Sequence, residues 1–206
     1  MRLLLALIVA AGGSLYRSLI TGVLHLDLGV GRRLRPLGPL TADIAASRDI
    51  VFEVVQEPYM AKQTRALAEK IQILERGDNM VLAAHKTPLR GGPMMATTVE
   101  TVRFTRPDRI DFRLVRGPVP HVVEQFLLTE EGNMTRLTYN GELGTDLWAL
   151  GAWWGNRVAH VWDHTVAASL LTIKAESERR ARPGGGLSRL LELGWDQRAQ
   201  QAEFPR

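Results

Sequence analysis

The strongest constraint on the fold is a series of short strand-like segments that leads directly into one long helix. Turns rich in glycine, proline, aspartate and asparagine separate these segments, so neighbouring strands are expected to pair antiparallel. The predicted strands lie at residues 71–75, 80–87, 96–104, 109–115, 121–129 and 135–143. The helix predicted at residues 147–182 contains no proline and is apolar on most of its circumference over its first turns, so it must be buried on more than one side.

A strand and two short helices are predicted ahead of this series. The strand covers residues 40–46, and Ser47 is placed to cap a helix over residues 48–56. Pro58 ends that helix, and a second helical stretch is predicted at residues 59–69. This order of elements predicts an α+β protein in which an antiparallel sheet packs against the long helix.

Two stretches resemble the SRPBCC superfamily, which includes START lipid-transfer domains, polyketide cyclases and the major birch-pollen allergen. Residues 41–55, TADIAASRDIVFEVV, are similar to the opening of these proteins, and residues 131–139, EGNMTRLTY, to their penultimate hairpin. Asn133 and Met134 replace part of the Gly-Gly-Thr-Arg turn that is usual there. The resemblance implies the helix-grip (START-like) fold, a curved antiparallel β-sheet wrapped around a long C-terminal helix with an apolar cavity between them. The superfamily shares that cavity and no catalytic motif, so no catalytic residue carries over.

The chain is expected to have three parts. Residues 1–39 form an apolar, arginine-rich extension, and residues 40–182 form the START-like ligand-binding domain that the resemblance covers. Residues 183–206 open with Pro-Gly-Gly-Gly and continue as a linker with a short amphipathic tail.

The N-terminal extension has a pattern typical of a membrane-facing segment. An apolar run from Leu3 to Leu24 is followed by Arg32, Arg33 and Arg35, and residues 1–40 carry the whole net charge of +4. We expect residues 3–35 to contact a membrane and the domain to lie in the cytoplasm, because the arginines favour the cytoplasmic side. One alternative is a soluble cytoplasmic protein whose extension packs on its own domain, and another is a cleaved signal peptide.

Composition excludes several classes of site. The chain has no cysteine, which rules out disulfides, thiol nucleophiles and cysteine-ligated metals. From residue 41 onward the charges balance, which argues against a nucleic-acid-binding face. His160 and His164 lie one helical turn apart with Asp163 between them, but no third ligand is evident, so we expect a solvated polar stripe and no metal or cofactor.

Strand alternation predicts which side chains face the cavity. Glu100 and Glu124 fall in the apolar sets of their strands, near the level of Leu114 and about 10 Å apart along the sheet. Such carboxyls either have raised pKa values or hold partners such as His85, His121, Tyr139 or an arginine; they could equally be structural groups at the cavity mouth. The four tryptophans of the long helix, at residues 148, 153, 154 and 162, are expected in the core and cavity wall. The predicted ligand-binding residues are Glu100, Phe112, Leu114, Glu124, Phe126, Tyr139, Trp154 and Val158.

These features favour a protein that binds, or binds and transports, a hydrophobic small molecule such as a lipid, isoprenoid or polyketide between sheet and helix. A second hypothesis is a cyclase or dehydratase that uses a cavity carboxylate for proton transfer, and the catalytic residues are then unknown. A third is an interaction module without a ligand. A carboxylate and a histidine within hydrogen-bond reach in a wet cavity would favour the enzyme, and a filled core would favour the interaction module.

Overall fold

The structure is a computed structural model that describes residues 2–60, 69–89 and 95–182. Its elements, in chain order, are α1 (Arg2–Ile20), β1 (Arg33–Ile44), α2 (Arg48–Gln56), a short 3-10 helix (Glu57–Tyr59), β2 (Ile71–Arg76), β3 (Met80–Pro88), β4 (Met95–Thr105), β5 (Arg109–Arg116), β6 (His121–Glu131), β7 (Met134–Thr145) and α3 (Trp148–Ala181). The strands form one antiparallel sheet in the order β1-β7-β6-β5-β4-β3-β2. The predicted α+β architecture is therefore confirmed.

The first strand is longer than the sequence suggests. It starts at Arg33, which pairs with Thr145 at the far end of β7, so residues 33–39 belong to the sheet and not to the extension. A register irregularity between Leu37 and Leu40 accommodates Gly38 and Pro39, which interrupt the strand pattern in the sequence. The helix over residues 48–56 is confirmed, but the Ser47 side chain makes no capping hydrogen bond. Most of the helical stretch predicted at 59–69, and the tail at 183–206, lie outside the described residues.

The long helix packs closely on the edge of the sheet through small residues. Gly151 and Gly155 are buried against β7, and a Cβ atom added at Gly151 would stand 1.6 Å from the carbonyl oxygen of Asp146. Further along, Ala159, Val166 and Leu170 are buried among the side chains of the sheet and of α2. Glycine at these two positions lets the helix backbone approach the end of β7. The tryptophans of the first turns therefore do not occupy the face of the helix that contacts β7.

The segment before β1 packs on the domain. Ile20 is buried, and the rings of Tyr16 in α1 and Trp154 in α3 meet edge to face at 6.0 Å. Asp146, between β7 and α3, accepts hydrogen bonds from the backbone N–H groups of Leu28 and Gly29 and from the guanidinium of Arg32. The Arg32 bonds and these two N–H groups lower the pKa of Asp146 to about 2. Part of the extension therefore packs on the domain, as one of the alternatives predicts.

No helix in the described part of the chain is long and apolar enough to cross a membrane.

Candidate ligand-binding site

Glu124 lies at the centre of a buried hydrogen-bonded cluster between the sheet and α3. The Tyr139 hydroxyl on β7 donates a hydrogen bond of 2.6 Å to Oε2 of Glu124, and Nε1 of Trp162 on α3 donates one of 2.7 Å to the same oxygen. Strand alternation turns Glu124 and Tyr139 to the same face of neighbouring strands, where Phe126 and Tyr139 are cross-strand partners. The carboxyl thus joins the sheet to the helix.

Burial dominates the electrostatics of Glu124. Its side chain is 8% exposed, and this burial together with the negative charge of Glu100 raises its pKa to about 7, despite the stabilising bonds from Tyr139 and Trp162. Burial and the Glu124 charge also raise the pKa of Tyr139, which keeps that hydroxyl protonated. Glu124 therefore exchanges a proton in the neutral pH range.

A second buried cluster surrounds Glu100 on the other side of β5. Its Oε2 lies 3.1 Å from Nδ1 of His85 on β3, and Nε2 of the same ring lies 3.1 Å from the Tyr59 hydroxyl. Burial by itself raises the pKa of Glu100, but His85 and the Thr98 side chain bring it below its usual value. Burial likewise opposes the charged form of His85, yet the charge of Glu100 raises the pKa of that ring. His85 is therefore the side chain that stabilises ionised Glu100, while no cationic side chain lies within hydrogen-bond reach of Glu124 among the described residues.

Aromatic rings separate the two clusters. Tyr59 contacts Phe112, Phe112 contacts Phe126, and Phe126 contacts Tyr139, with ring centroids 5.6 to 6.3 Å apart. The polar groups thus sit at the two ends of an aromatic layer on the concave face of the sheet. Polar groups at defined points of an apolar wall are typical of sites for small organic molecules.

The two glutamates lie inward as predicted, but not at one level of the sheet. Glu100 is opposite Leu114, whereas Glu124 is opposite Phe112. Glu100 lies at the predicted level, but the β5–β6 register that follows the turn at residues 117–120 pairs Glu124 with Phe112 and not with Leu114. Glu124 therefore lies one inward-facing position of β5 away from the predicted level.

Among the candidate partners of the glutamates, the structure selects His85 and Tyr139. His121 instead lies 2.8 Å from the partly exposed Glu142, outside both clusters. Tyr59 and Trp162 were not predicted as hydrogen-bond partners. Tyr59 follows a proline in what the sequence presents as a helix boundary, and Trp162 is one of four tryptophans that the pattern cannot distinguish.

The other predicted ligand-binding residues lie around the aromatic layer. Phe112 and Phe126 are buried, and Leu114 and Val158 are half-buried. Trp154 is also half-buried, and its Nε1 donates a hydrogen bond to the carbonyl oxygen of Pro118. The expectation that all four tryptophans line the core is wrong for Trp148 and Trp153, which are 56% and 54% exposed. The roles of the eight predicted residues toward a ligand stay predictions.

The polar stripe of α3 also departs from expectation at one position. Asp163 is only partly exposed, and its Oδ1 is buried with no hydrogen-bond donor among the described residues. The charge of Asp163 contributes to the raised pKa of Tyr139, so this carboxylate lies near the Glu124 cluster. The neighbouring rings of His160 and His164 are exposed, and the described residues contain no cluster of three metal-ligating side chains.

Two grooves on the described surface lie away from this site. One of about 450 Å³ runs beside Leu171 and Arg179 on α3, and one of about 270 Å³ lies beside Leu34 and Glu142. Neither is lined by a residue of the two clusters. A cavity between sheet and helix stays a prediction.

Comparison with solved structures identifies the fold. The aromatase/cyclase ZhuI from Streptomyces sp. R1128 aligns with a TM-score of 0.59 at 20% identity, over 75% of this chain and 98% of that chain. The di-domain aromatase/cyclase StfQ of the steffimycin pathway aligns at 0.56 and 16% identity, over 73% of this chain and 51% of that one. Norcoclaurine synthase from Thalictrum flavum, in complex with dopamine and hydroxybenzaldehyde, aligns at 0.53 and 12% identity, over 80% and 93%.

No family model and no curated protein sequence matches the chain. The solved structures share its antiparallel sheet and long C-terminal helix, so the prediction of the helix-grip fold is confirmed. The chain therefore has the fold that the SRPBCC resemblance implies, the fold of the aromatase/cyclases and of norcoclaurine synthase.

Proposed function

We propose that this protein binds a hydrophobic small molecule with polar substituents against the aromatic layer between the sheet and α3. The observation that carries the proposal is Glu124, a buried carboxyl with two hydrogen-bond donors and no counter-ion among the described residues. A buried ionisable group costs stability, and such groups are frequent where a site recognises or transforms a ligand. The aromatic rings supply apolar contact, and the carboxyl orients a polar end.

Asp163 adds a second reason to expect a polar ligand group. Its buried Oδ1 lacks a donor, and buried acceptors are nearly always satisfied in folded proteins. A hydroxyl group on a ligand near Tyr139 would provide that donor. The ligand class that fits is a polyketide, lipid or isoprenoid that bears hydroxyl or carbonyl groups, and the likeness to aromatase/cyclases supports the polyketide member of this class.

Filling the proposed site with a larger side chain should weaken binding. Val158 is half-buried on α3 and packs against the core, so Val158→Phe places a ring where the ligand would lie. We expect at least about tenfold weaker binding of a fluorescent fatty acid, because even one methylene in a filled site costs about 1 kcal/mol or more. The measurement is energy transfer from the helix tryptophans to the probe during titration.

Val161→Phe is the matched control, because Val161 is 45% exposed on the same helix. It should leave the affinity unchanged. Equal affinity in both variants would contradict the location of the site. If the unmodified protein shows no saturable binding of any apolar probe, the proposal of a ligand-binding protein fails. The hypothesis of an interaction module without a ligand is then favoured.

A cyclase or dehydratase is the second candidate, and the raised pKa of Glu124 favours it. A group with a pKa of about 7 accepts and returns a proton efficiently at neutral pH. In a dehydration, ionised Glu124 would remove the proton from the carbon beside a ligand carbonyl. It would then return that proton to the hydroxyl that leaves from the adjacent carbon, so that a carbon–carbon double bond forms and water departs. The Tyr139 and Trp162 donors hold the carboxyl in place for both steps.

Glu124→Gln separates this candidate from simple binding. The amide keeps the shape of the side chain and removes the titrating proton, so turnover should fall by about 100-fold while affinity changes little. Purified protein is incubated with β-hydroxy ketones, and loss of water is followed by mass spectrometry. Glu130→Gln, on the exposed end of the same strand, should keep full turnover. No dehydration by the unmodified protein, or equal rates in both variants, would contradict the enzyme.

A further inference from the structure

One end of the molecule carries a concentration of exposed apolar side chains drawn from three segments. We define the docking face as Leu15 on α1, Val23 and Leu28 in the following loop, and Trp148, Leu150 and Trp153 on α3. Each of these side chains is between 50% and 78% exposed. So many exposed large apolar side chains on neighbouring segments are typical of an interaction surface.

The three segments are fixed to one another. The backbone N–H groups of Leu147 and Trp148 donate to the carbonyl oxygens of Val30 and Gly31, and the Trp148 ring lies where a side chain on Gly31 would stand. The Asp146 carboxylate, just before α3, accepts a hydrogen bond from the backbone N–H of Leu28 in the same loop. The Tyr16 ring of α1 contacts the Trp154 ring of α3. The three segments that carry the docking face are therefore held together.

Four exposed arginines lie on or beside the segments that carry the docking face. Arg17 and Arg33 are exposed on the extension and at the start of β1. Arg157 lies with its guanidinium 4.5 Å from the centre of the Trp153 ring, and Arg116, at the end of β5, reaches Gly22. Exposed arginines thus lie on the segments that carry the docking face or beside them.

We propose that the docking face binds the surface of an anionic phospholipid bilayer. Tryptophan, leucine and valine enter the interfacial layer, and arginines pair with the negative headgroups. This inference concerns where the protein operates and is independent of the proposed ligand. The sequence predicts membrane contact for residues 3–35 alone, and the structure adds the first turns of α3.

A second copy of the chain fits this surface less well. A symmetric contact between two docking faces would bring both sets of arginines together, and like charges across an interface are unfavourable. An anionic bilayer instead supplies opposite charge around the rim and an apolar layer beneath it. Charge complementarity therefore selects the bilayer as the occupant.

Cosedimentation of the full chain with phospholipid vesicles tests the proposal. Binding to vesicles that contain phosphatidylglycerol should exceed binding to pure phosphatidylcholine by about tenfold, and salt should weaken it. Leu150→Glu should lower binding by about tenfold or more, because it removes an inserting side chain and adds a repelled charge. Leu171→Glu is the matched control on the same helix, since Leu171 is 70% exposed outside the docking face. It should bind as the unmodified protein does.

Several outcomes would overturn the proposal. They are absence of vesicle binding by the unmodified protein, equal loss in both variants, and equal binding to neutral and anionic vesicles. Light scattering that shows a dimer dissociated by Leu150→Glu, without vesicle binding, would assign the face to a second copy. Binding of the fluorescent fatty acid is measured without vesicles, so failure of the ligand proposal is distinguishable from failure of this one.

Discussion

Phe112→Asp is expected to prevent stable folding. Phe112 is buried at the middle of the sheet, where its ring meets those of Tyr59 and Phe126. Aspartate there removes a large apolar contact and places a carboxylate near the charges of Glu100 and Glu124. Each effect costs several kcal/mol, so their sum of at least about 5 kcal/mol approaches the whole stability of an ordinary domain. Circular dichroism and thermal melting should show loss of the folding transition.

Arg113→Asp on the same strand is the control, because Arg113 is exposed on the opposite face of the sheet. It should change the free energy of unfolding by only about 0.5 kcal/mol. A Phe112→Asp variant that folds but no longer binds the fatty-acid probe would show that Phe112 lines the site without supporting the core.

Glu124→Gln should change how stability depends on pH. The folded-state pKa of Glu124 is raised to about 7 from the ordinary 4.5, so the ionised form is disfavoured in the folded protein. The unmodified protein therefore loses stability as the pH rises from about 4.5 to about 7, whereas the glutamine variant lacks this loss. From the pKa difference, the variant should gain about 3 kcal/mol relative to the unmodified protein between pH 4.5 and pH 8.

Urea unfolding at several pH values measures this difference. Glu130→Gln, in which the replaced carboxylate is exposed, should run parallel to the unmodified protein across the range. If the free energies of unfolding of Glu124→Gln and the unmodified protein differ by the same amount at every pH, Glu124 ionises normally. Motion or water would then give the carboxyl access to solvent.

The period-two pattern of hydrophobic residues in the strands predicted most of the fold and the inward orientation of both glutamates. It works here because one face of each central strand is buried, so hydrophobic residues mark that face. The start of β1 was not predicted because Pro36, Gly38 and Pro39 interrupt the pattern. The strand forms there nevertheless, because it pairs with β7 from Arg33 to Ile44.

The orientation of the helix tryptophans could not be predicted from periodicity. In the first turns of α3, the face toward β7 belongs to Gly151 and Gly155, since only glycine permits so close an approach. Large apolar residues are ordinarily assigned to the buried face of a helix. This rule wrongly placed Trp148 and Trp153 in the core. The partners Tyr139, Trp162 and His85 of the two glutamates come from three other elements, β7, α3 and β3, and one sequence contains no signal that joins them.

The pairing of β1 with β7 determines when the sheet can be completed. Arg33 meets Thr145, so β1 remains without its partner until nearly the whole domain has been synthesised, roughly ten seconds later at usual rates of translation. Such distant contacts make folding slow, because the entropy of closing the chain is lost before the contacts form. During that interval the unpaired edge of β1 follows directly on the apolar extension. An unpaired strand edge exposes free backbone N–H and C=O groups, so this stage of synthesis is the one at which the chain is most open to aggregation.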